Sequence, residues 1–362
     1  MAKANLKEEE TAPLPVHGAA MLPSVKVDSY NLEIEDQDGF VGDKASKQAF
    51  WKLLDKWRKP LGELGQDPLG DKPSEDIGKK KLAELLADGE GKAAGIVLSA
   101  VEEFAQQLAV VIRRFTRLKD WRDTECLVIG GGFSASRIGE LAMARAELLL
   151  KADEIAIDFE RIRNPPDEAG LLGAAHLLPA WMLKGADGIL AVDVGGTNIR
   201  AGIVELNLDK ASDMSKAKVL KAEIWRHSDE EGLKRDGAVE RLVEMLEDLV
   251  EQAQSEKLTL APMIGIGCPG IIEEDGSIAR GAQNLPGNWE SSRFNLPKKL
   301  VEEMPRIGDH DTLVVMHNDA VVQGLSELPN MQERSRWGVL TIGTGLGNAR
   351  FTNRKEKKQK AA

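Results

Sequence analysis

Four short apolar runs of this chain end directly in glycine-rich turns, and this arrangement constrains the fold more than any other feature. The turns contain residues 130–132, 195–197, 267–270 and 343–347. A glycine turn after a buried strand lets backbone N–H groups approach an anion closely. Because amphipathic stretches lie between several of these runs, the pattern is typical of an α/β protein with mixed sheets.

Hydrophobic periodicity predicts the individual elements. The spacing of apolar residues predicts helices over 46–57, 94–118 and 239–250. Short apolar runs predict strands over 126–129, 154–157, 189–194, 201–204, 263–267, 313–316 and 339–342. Residues 1–45 lack a clean period, so we expect them to be irregular apart from short strands near 25–27 and 32–34.

Composition excludes several classes of protein. The 362 residues carry 48 Lys and Arg against 59 Asp and Glu, and a net charge of −11 argues against nucleic acid or an anionic membrane as the partner. The two cysteines, Cys126 and Cys268, can form neither a disulfide framework nor a four-thiolate zinc site, so we expect a cytoplasmic protein. No apolar run reaches the roughly 18 residues of a membrane span. The length favours about two domains.

The turn after residues 189–194 has the chemistry of a phosphate loop. Asp193 ends the apolar run, and Gly195, Gly196 and Thr197 follow it. The two glycines expose backbone N–H groups, Thr197 adds a donor, and the acid can hold a hydrated Mg²⁺ against phosphate oxygens. An ordinary hairpin would explain the glycines, but it would not explain the acid and the threonine together.

A second turn of this kind follows residues 339–342, with a threonine between glycines. Its residues are Gly343, Thr344, Gly345 and Gly347. We expect a second phosphate contact there. The turn that ends at Gly270 has no charged group, and we interpret it as setting the shape of the site.

An Asn-Asp pair follows the apolar run 313–316. An acid at the end of a strand, facing two phosphate loops, is well placed to take a proton from a substrate hydroxyl. Both Asn318 and Asp319 could alternatively cap the helix that starts there. One of the two residues can cap while the other carries chemistry.

Gly130, Gly131 and Gly132 fit a relaxed dinucleotide fingerprint, G-x-G-x-x-G/A, that ends at Ala135. Asp158 follows about one βαβ unit later, where such an acid would contact a ribose. This pattern alone leaves two interpretations open, a structural turn or an NAD(P)-dependent oxidoreductase.

Taken together, five motifs resemble the ROK family of sugar kinases and regulators, within the sugar kinase/Hsp70/actin ATP-binding group. They are D-x-G-G-T at 193–197, G-x-P-G at 267–270, N-L-P-G-N-W at 284–289, N-D-A at 318–320 and G-T-G-L-G at 343–347. The resemblance implies an actin-like ATPase (ribonuclease H-like) fold with two lobes. It also implies ATP- and Mg²⁺-dependent phosphorylation of a hexose or hexose derivative, and a homodimer.

The order of the motifs implies a circular permutation. Residues 127–132 and 166–175 resemble the C-terminal segment of the family, yet here they precede the Asp193 loop. We therefore expect residues 1–185 to form the C-terminal-type lobe on the nucleotide side, and 186–335 the N-terminal-type lobe with the sugar side. Residues 336–362 would return to the first lobe with the second phosphate loop and a basic tail.

The resemblance also implies roles for individual residues. Asp319 would be the general base, Asp193 would lie beside Mg²⁺, and Gly130, Gly131 and Gly132 would lie near the adenosine. The two phosphate loops would hold the phosphates of ATP. On the substrate side it implies Asn284, Asn318, Gly270 and His17.

Two family elements are missing. The cysteine-rich zinc stretch has no counterpart, because residues 36–43 contain neither Cys nor His, and we therefore expect no zinc. The E-x-G-H element that holds the sugar is also absent, and the first residues offer only His17 and the acids of 8–10. A catalytically degenerate sugar- or nucleotide-binding regulator of the ROK type is therefore the alternative to a kinase, although we find no DNA-binding helix-turn-helix.

Overall fold

The structure is a computed structural model that describes residues 16–37, 39–89 and 91–354. Its strands are β1 (Val25–Tyr30), β2 (Glu35–Asp36), β3 (Gly39–Phe40), β4 (Cys126–Gly130), β5 (Asp158–Arg161), β6 (Gly188–Val194), β7 (Ile199–Glu205), β8 (Lys218–Trp225), β9 (Leu260–Cys268), β10 (Ile271–Ile272), β11 (Ile278–Arg280), β12 (Arg306–Ile307), β13 (His310–Asp311), β14 (Leu313–Asn318), β15 (Arg336–Ile342) and β16 (Leu346–Asn353). Its α-helices are α1 (Lys47–Gly62), α2 (Lys79–Asp88), α3 (Gly91–Thr116), α4 (Arg137–Ala152), α5 (Ala169–Ala174), α6 (Arg235–Ser255), α7 (Leu296–Glu303) and α8 (Asp319–Leu325).

Two five-stranded sheets share one plan. The first has the order β1-β16-β15-β4-β5 and the second the order β14-β9-β6-β7-β8. In the first sheet β15, β16 and β1 are antiparallel, while β4 and β5 run parallel to β15. In the second sheet β6, β7 and β8 are antiparallel, while β9 and β14 run parallel to β6. The prediction of an α/β fold with mixed sheets is therefore confirmed.

Helices α5 and α8 pack against each other, and while α5 contacts strands of the second sheet, α8 contacts strands of both sheets. Their crossing is close, since a Cβ on Gly173 would lie 1.7 Å from the backbone oxygen of Val322. The core around these two helices is largely aliphatic and includes buried residues of both sheets, such as Val128 and Ala191. The middle layer therefore joins the two sheets and fixes their relative positions.

A second core lies between the first sheet and a layer formed by α1, α3 and α4. Helix α3 buries Val97, Val101, Phe104, Leu108 and Phe115, which follow the predicted spacing of three and four residues. The same helix is long and apolar enough to cross a membrane by length and composition, so the expectation that no run reaches this length needs correction. In the structure it packs between α1 and α4.

Two details of the predicted elements were wrong, and one was confirmed. The strand predicted over 154–157 is instead β5 at 158–161, and Glu154 adopts a positive φ of 62° in the turn that ends α4. The short strand predicted near 25–27 is confirmed as β1, which lies at the edge of the first sheet. The predicted strand at 32–34 is absent from the described residues, and residues 1–15 lie outside them.

Candidate functional site

Each sheet contributes a glycine hairpin at the same place in its topology. The turn between β6 and β7 spans residues 195–198, and the Gly195 amide donates to the carbonyl of Asn198 (2.9 Å). The turn between β15 and β16 is one residue shorter, and its Gly343 amide donates to the carbonyl of Gly345 (3.0 Å). Because both turns leave backbone groups unused at their tips, both can receive phosphate oxygens.

The two hairpins face each other. The hydroxyl oxygens of Thr197 and Thr344 lie 3.2 Å apart. Asn284 lies against the first hairpin, since a Cβ on Gly196 would be 3.1 Å from the Asn284 Cβ. The structure thus brings both predicted phosphate loops and one predicted substrate residue to one place between the sheets.

Asp193 is 2% exposed and lies beneath the first hairpin. Its Oδ2 accepts from Nη1 of Arg200 (3.2 Å), whereas its Oδ1 is buried without a hydrogen-bond partner among the described residues. A Cβ on Gly170 would lie 2.5 Å from the Asp193 carboxyl carbon, so α5 passes directly over the acid. Burial raises the pKa of Asp193, and Arg200 acts in the opposite direction.

Arg200 is a site residue that the sequence analysis missed. Its Nε and Nη2 donate to Oδ1 of Asp167, at 2.9 and 2.7 Å, in addition to the contact with Asp193. The signal was in the sequence, because a four-residue turn after Val194 places Arg200 opposite Asp193 in the β6–β7 register. Arg200 thus connects β7 to the loop that precedes α5.

Asn318 is the residue that caps α8. Its Oδ1 accepts from the amides of Ala320 (3.0 Å) and Val321 (3.3 Å), and its Nδ2 donates to the Gly270 carbonyl (3.1 Å). The side chain is 1% exposed, so its polar atoms are used inside the protein. The alternative left open by the sequence is thereby resolved in favour of Asn318 as the cap, and its contact with a sugar stays a prediction.

Asp319 starts α8 and is left available for chemistry. It is partly exposed, while its neighbours Asn318 and Ala320 are buried. Burial of the carboxyl raises the pKa of Asp319 to about 7, and the Asp193 carboxylate is the second cause. A carboxyl group whose pKa lies near neutral pH is suited to general base catalysis.

Gly270 supports this arrangement through its backbone. Its φ of 100° is unfavourable for other residues, and a Cβ would lie 2.4 Å from the Arg280 carbonyl. Its own carbonyl receives the hydrogen bond from Asn318. The G-x-P-G turn therefore positions the Asn-Asp pair, in agreement with a shape-setting role.

The turn with Gly130, Gly131 and Gly132 lies beside the second hairpin. Gly131 has a φ of 87°, and a Cβ there would meet the Ile342 carbonyl at 2.4 Å. Next to Gly130 and Gly131 is a cavity of about 160 Å³, whose other walls include Arg161, Asn164 and Gln323. The position of an adenosine at this turn stays a prediction.

The position of Asp158 argues against the dinucleotide interpretation. Asp158 pairs with Cys126 at the amino end of β4, whereas the glycine turn follows its carboxyl end. The two lie roughly 13 Å apart by the rise of a strand. Asp158 instead forms an ion pair with Arg334 (3.0 Å), so it cannot contact a ribose held at the turn.

His17 lies along the outer edge of β14. Its Nδ1 accepts from the Met316 amide (3.1 Å), and the next amide, that of Gly18, donates to the Met316 carbonyl (3.0 Å). Burial lowers the pKa of His17. Nδ1 of His17 is therefore occupied by a hydrogen bond at the edge of the second sheet. A contact between His17 and a sugar stays a prediction. The acids of residues 8–10 lie outside the described residues.

The residues at the loops fit a hydrated divalent cation. The unpartnered Oδ1 of Asp193 is a carboxylate oxygen of the kind that Mg²⁺ prefers, and the adjacent hairpins can hold phosphate oxygens on its other side. Within the described part of the chain, no three His, Cys, Asp or Glu side chains cluster as a metal site.

Cys126 and Cys268 are buried, and burial raises the pKa of both thiols, to about 12 for Cys126.

Comparison with known proteins finds similarity to sugar kinases over part of the chain. The sequence model of the ROK family matches residues 189–357. The glucokinase of Thermotoga maritima is 27% identical over 165 residues, which are 46% of this chain and 44% of that protein. The ROK hexokinase of Thermus thermophilus is 23% identical with a TM-score of 0.32, over 44% of this chain and 45% of that one. The chain thus spans less than half the length of these relatives in the matched regions.

Proposed function

We propose that this protein is a sugar kinase, because residues 189–357 match the sequence model of the ROK family. It transfers a phosphoryl group from ATP, with Mg²⁺, to a hydroxyl of a hexose or hexose derivative. The observation that carries the proposal is the 3.2 Å approach of Thr197 and Thr344, which brings two glycine hairpins together in the same part of the fold as Asp193 and Asp319. An ordinary pair of structural turns would not need these two acids beside it.

Each group has a distinct role in the proposed reaction. Asp319 accepts the proton of the sugar hydroxyl as its oxygen bonds to the γ-phosphorus and the bond from that phosphorus to the ADP oxygen breaks. Asp193 would hold a hydrated Mg²⁺, and the bound ion would neutralise part of the phosphate charge. The amides of the two hairpins and the two threonine hydroxyls orient the phosphates. Such chemistry depends on position and charge more than on covalent steps.

The circular permutation is part of the proposal. Counted from β15, the first sheet has the spatial order third, second, first, fourth, fifth, and the second sheet has the same order counted from β6. The third, fourth and fifth strands of the first sheet come from residues 25–161, ahead of β15 in the chain. This equivalence supports lobes built from 1–185 together with 336–362 and from 186–335.

A degenerate regulator of the same family is the second candidate. Two observations favour it: the polar atoms of Asn318 are used within the protein, and Arg200 already neutralises Asp193. Such a protein would bind nucleotide or sugar without transferring phosphate. The remaining expectations are a small-molecule sugar as substrate, a homodimer and a cytoplasmic location.

Turnover of Mg²⁺-ATP against pooled hexoses, amino sugars and N-acyl hexosamines tests the proposal. We expect product with the unmodified protein and none with Asp319→Asn, while both bind ATP equally. Silence from both proteins despite ATP binding would favour the regulator. Turnover that survives in Asp319→Asn would remove Asp319 as the base.

A further inference from the structure

Lys79 makes an unusual contact with the glycine turn after β4. It is the first residue of α2, and its Nζ donates to the carbonyl oxygen of Gly132. Its side chain is half-buried, and burial lowers the pKa of the Lys79 ammonium. Among the described residues no carboxylate lies within the 4.0 Å ion-pair distance of this ammonium. A lysine held at this turn without an acidic partner can interact with a bound anion.

A second lysine lies next to it. Lys47 is the first residue of α1, and its amide donates to the Gly343 carbonyl of the second hairpin (3.0 Å). The positive charge of Lys47 also lowers the pKa of Lys79, because the two ammonium groups repel each other. Neither α1 nor α2 has an acid in its first turn. This concentration of positive charge stands out in a chain of net charge −11.

The two lysines belong to the two turns that would hold the donor. Lys79 touches the turn assigned to the adenosine side, and Lys47 starts from the hairpin assigned to the phosphates. An ammonium group has three donors, and the contact with Gly132 uses one of those on Lys79. Donors are thus left for phosphate oxygens between the two turns, where the charge-assisted bond is strong.

We propose that Lys79, assisted by Lys47, binds the phosphate chain of the donor nucleotide. This inference rests on the proposed function, because it takes the two glycine turns as the nucleotide site. It assigns the lysines to the phosphates rather than to the base or the ribose. Repulsion between the two ammonium groups is relieved when the polyanion lies between them.

Nucleotide affinities of lysine variants test the proposal. We expect Lys79→Met to lower the affinity for ATP and ADP about tenfold, because one charge-assisted hydrogen bond is lost. The affinity for adenosine should not change. Lys79→Arg should keep affinity within about threefold, because it keeps the charge. Lys80→Met is the matched control, since it removes the same charge from the same helical turn and should bind like the unmodified protein. Calorimetric titration of each nucleotide and of inorganic tripolyphosphate gives the values.

Each outcome is decisive. Equal ATP affinity in Lys79→Met, or an equal loss for adenosine and ATP, overturns the assignment to the phosphates. If Lys79→Met does not fold, Lys47→Met provides the same comparison, with a smaller expected loss and a weaker dependence of ATP affinity on salt. A protein that binds no nucleotide in its unmodified form overturns the proposed function as well, so the two failures differ.

Discussion

The Thr197 and Thr344 hydroxyls lie 3.2 Å apart, although the residues are separated by 147 positions and belong to hairpins of different sheets. The middle layer of α5 and α8 joins the two sheets along their common core. A change in the angle between the sheets would therefore separate the hairpins first. The proposed phosphate site exists only while the two lobes keep this position.

Asp319→Asn should abolish phosphoryl transfer while the fold and ATP binding persist. The amide is similar in shape to the carboxyl but cannot accept the proton, and loss of a general base typically lowers the rate about 10²- to 10⁴-fold. Steady-state kinetics with the best sugar of the pool measures the effect. Asp311→Asn, on an exposed residue of β13, is the control and should retain full turnover.

The pH dependence of the rate should report the same carboxyl. Its pKa of about 7 means that the base is ionised only above neutral pH, so kcat/KM should rise with pH through about 7. A profile that is flat between pH 5 and pH 9, roughly two units either side of this pKa, would count against Asp319 as the base.

The raised pKa of Asp319 also predicts a change in stability. Between its ordinary value of 3.8 and about 7, the folded protein binds the proton more tightly than the unfolded chain. Stability is therefore lost as pH rises through this window, and the loss persists above it. Asp319→Asn should melt at a higher temperature than the unmodified protein at alkaline pH, with the difference disappearing in acid. Equal melting curves at all pH values would contradict this expectation.

Arg200→Met should destabilise the fold, because it leaves the Asp193 carboxylate buried without its cation. Breaking one side of a buried ion pair typically costs roughly 3 kcal/mol, and the 14% exposure of the Arg200 side chain places it close to this case. Asp167→Asn is the control, since it keeps the pair of Arg200 with Asp193. Denaturant unfolding at pH 8 compares the three proteins, and a loss no larger than that of the control would be the contrary result.

The sequence predicts the parts of the site that depend on local patterns. Apolar runs followed by glycines identify β6, β15 and their turns, because both signals lie within ten residues. The residues alone restrict the cap and the catalytic acid to Asn318 and Asp319, but they do not show which of the two caps the helix. Both side chains can accept an amide hydrogen bond at a helix start, and the bonds that Asn318 accepts from the Ala320 and Val321 amides decide between them.

The missed features depend on pairings between distant segments. The strand near 25–27 was predicted, but its pairing with β16, more than three hundred residues away, was not. β8 was missed because it is a half-exposed edge strand without a clear apolar face. Lys79 is remote in sequence from Gly132, and nothing in the local charge pattern indicates their contact. Arg200 is the exception, because the register of a short hairpin could have placed it opposite Asp193.

Asp193→Ala should impair the activation of phosphoryl transfer by Mg²⁺. The variant removes the unpartnered Oδ1 that would orient a metal-bound water, so we expect a higher Mg²⁺ concentration at half-maximal activity and a lower maximal rate. Titration of Mg²⁺ at constant free ATP measures both values. An unchanged titration curve would remove Asp193 from the metal site.

Gly173→Ala should separate the two sheets. The added methyl group would lie 1.7 Å from the Val322 carbonyl oxygen. This backbone atom cannot move without shifting α8 and Asp319, the first residue of that helix. Overpacking of this kind costs roughly 1–3 kcal/mol or more. Gly95→Ala is the matched control, because Gly95 lies within α3 with open space around it, and there the methyl group should stabilise by about 0.5–1 kcal/mol. Thermal unfolding and ATP affinity are measured for both variants, and a Gly173→Ala protein with unchanged ATP affinity would show that the hairpins do not depend on the middle layer.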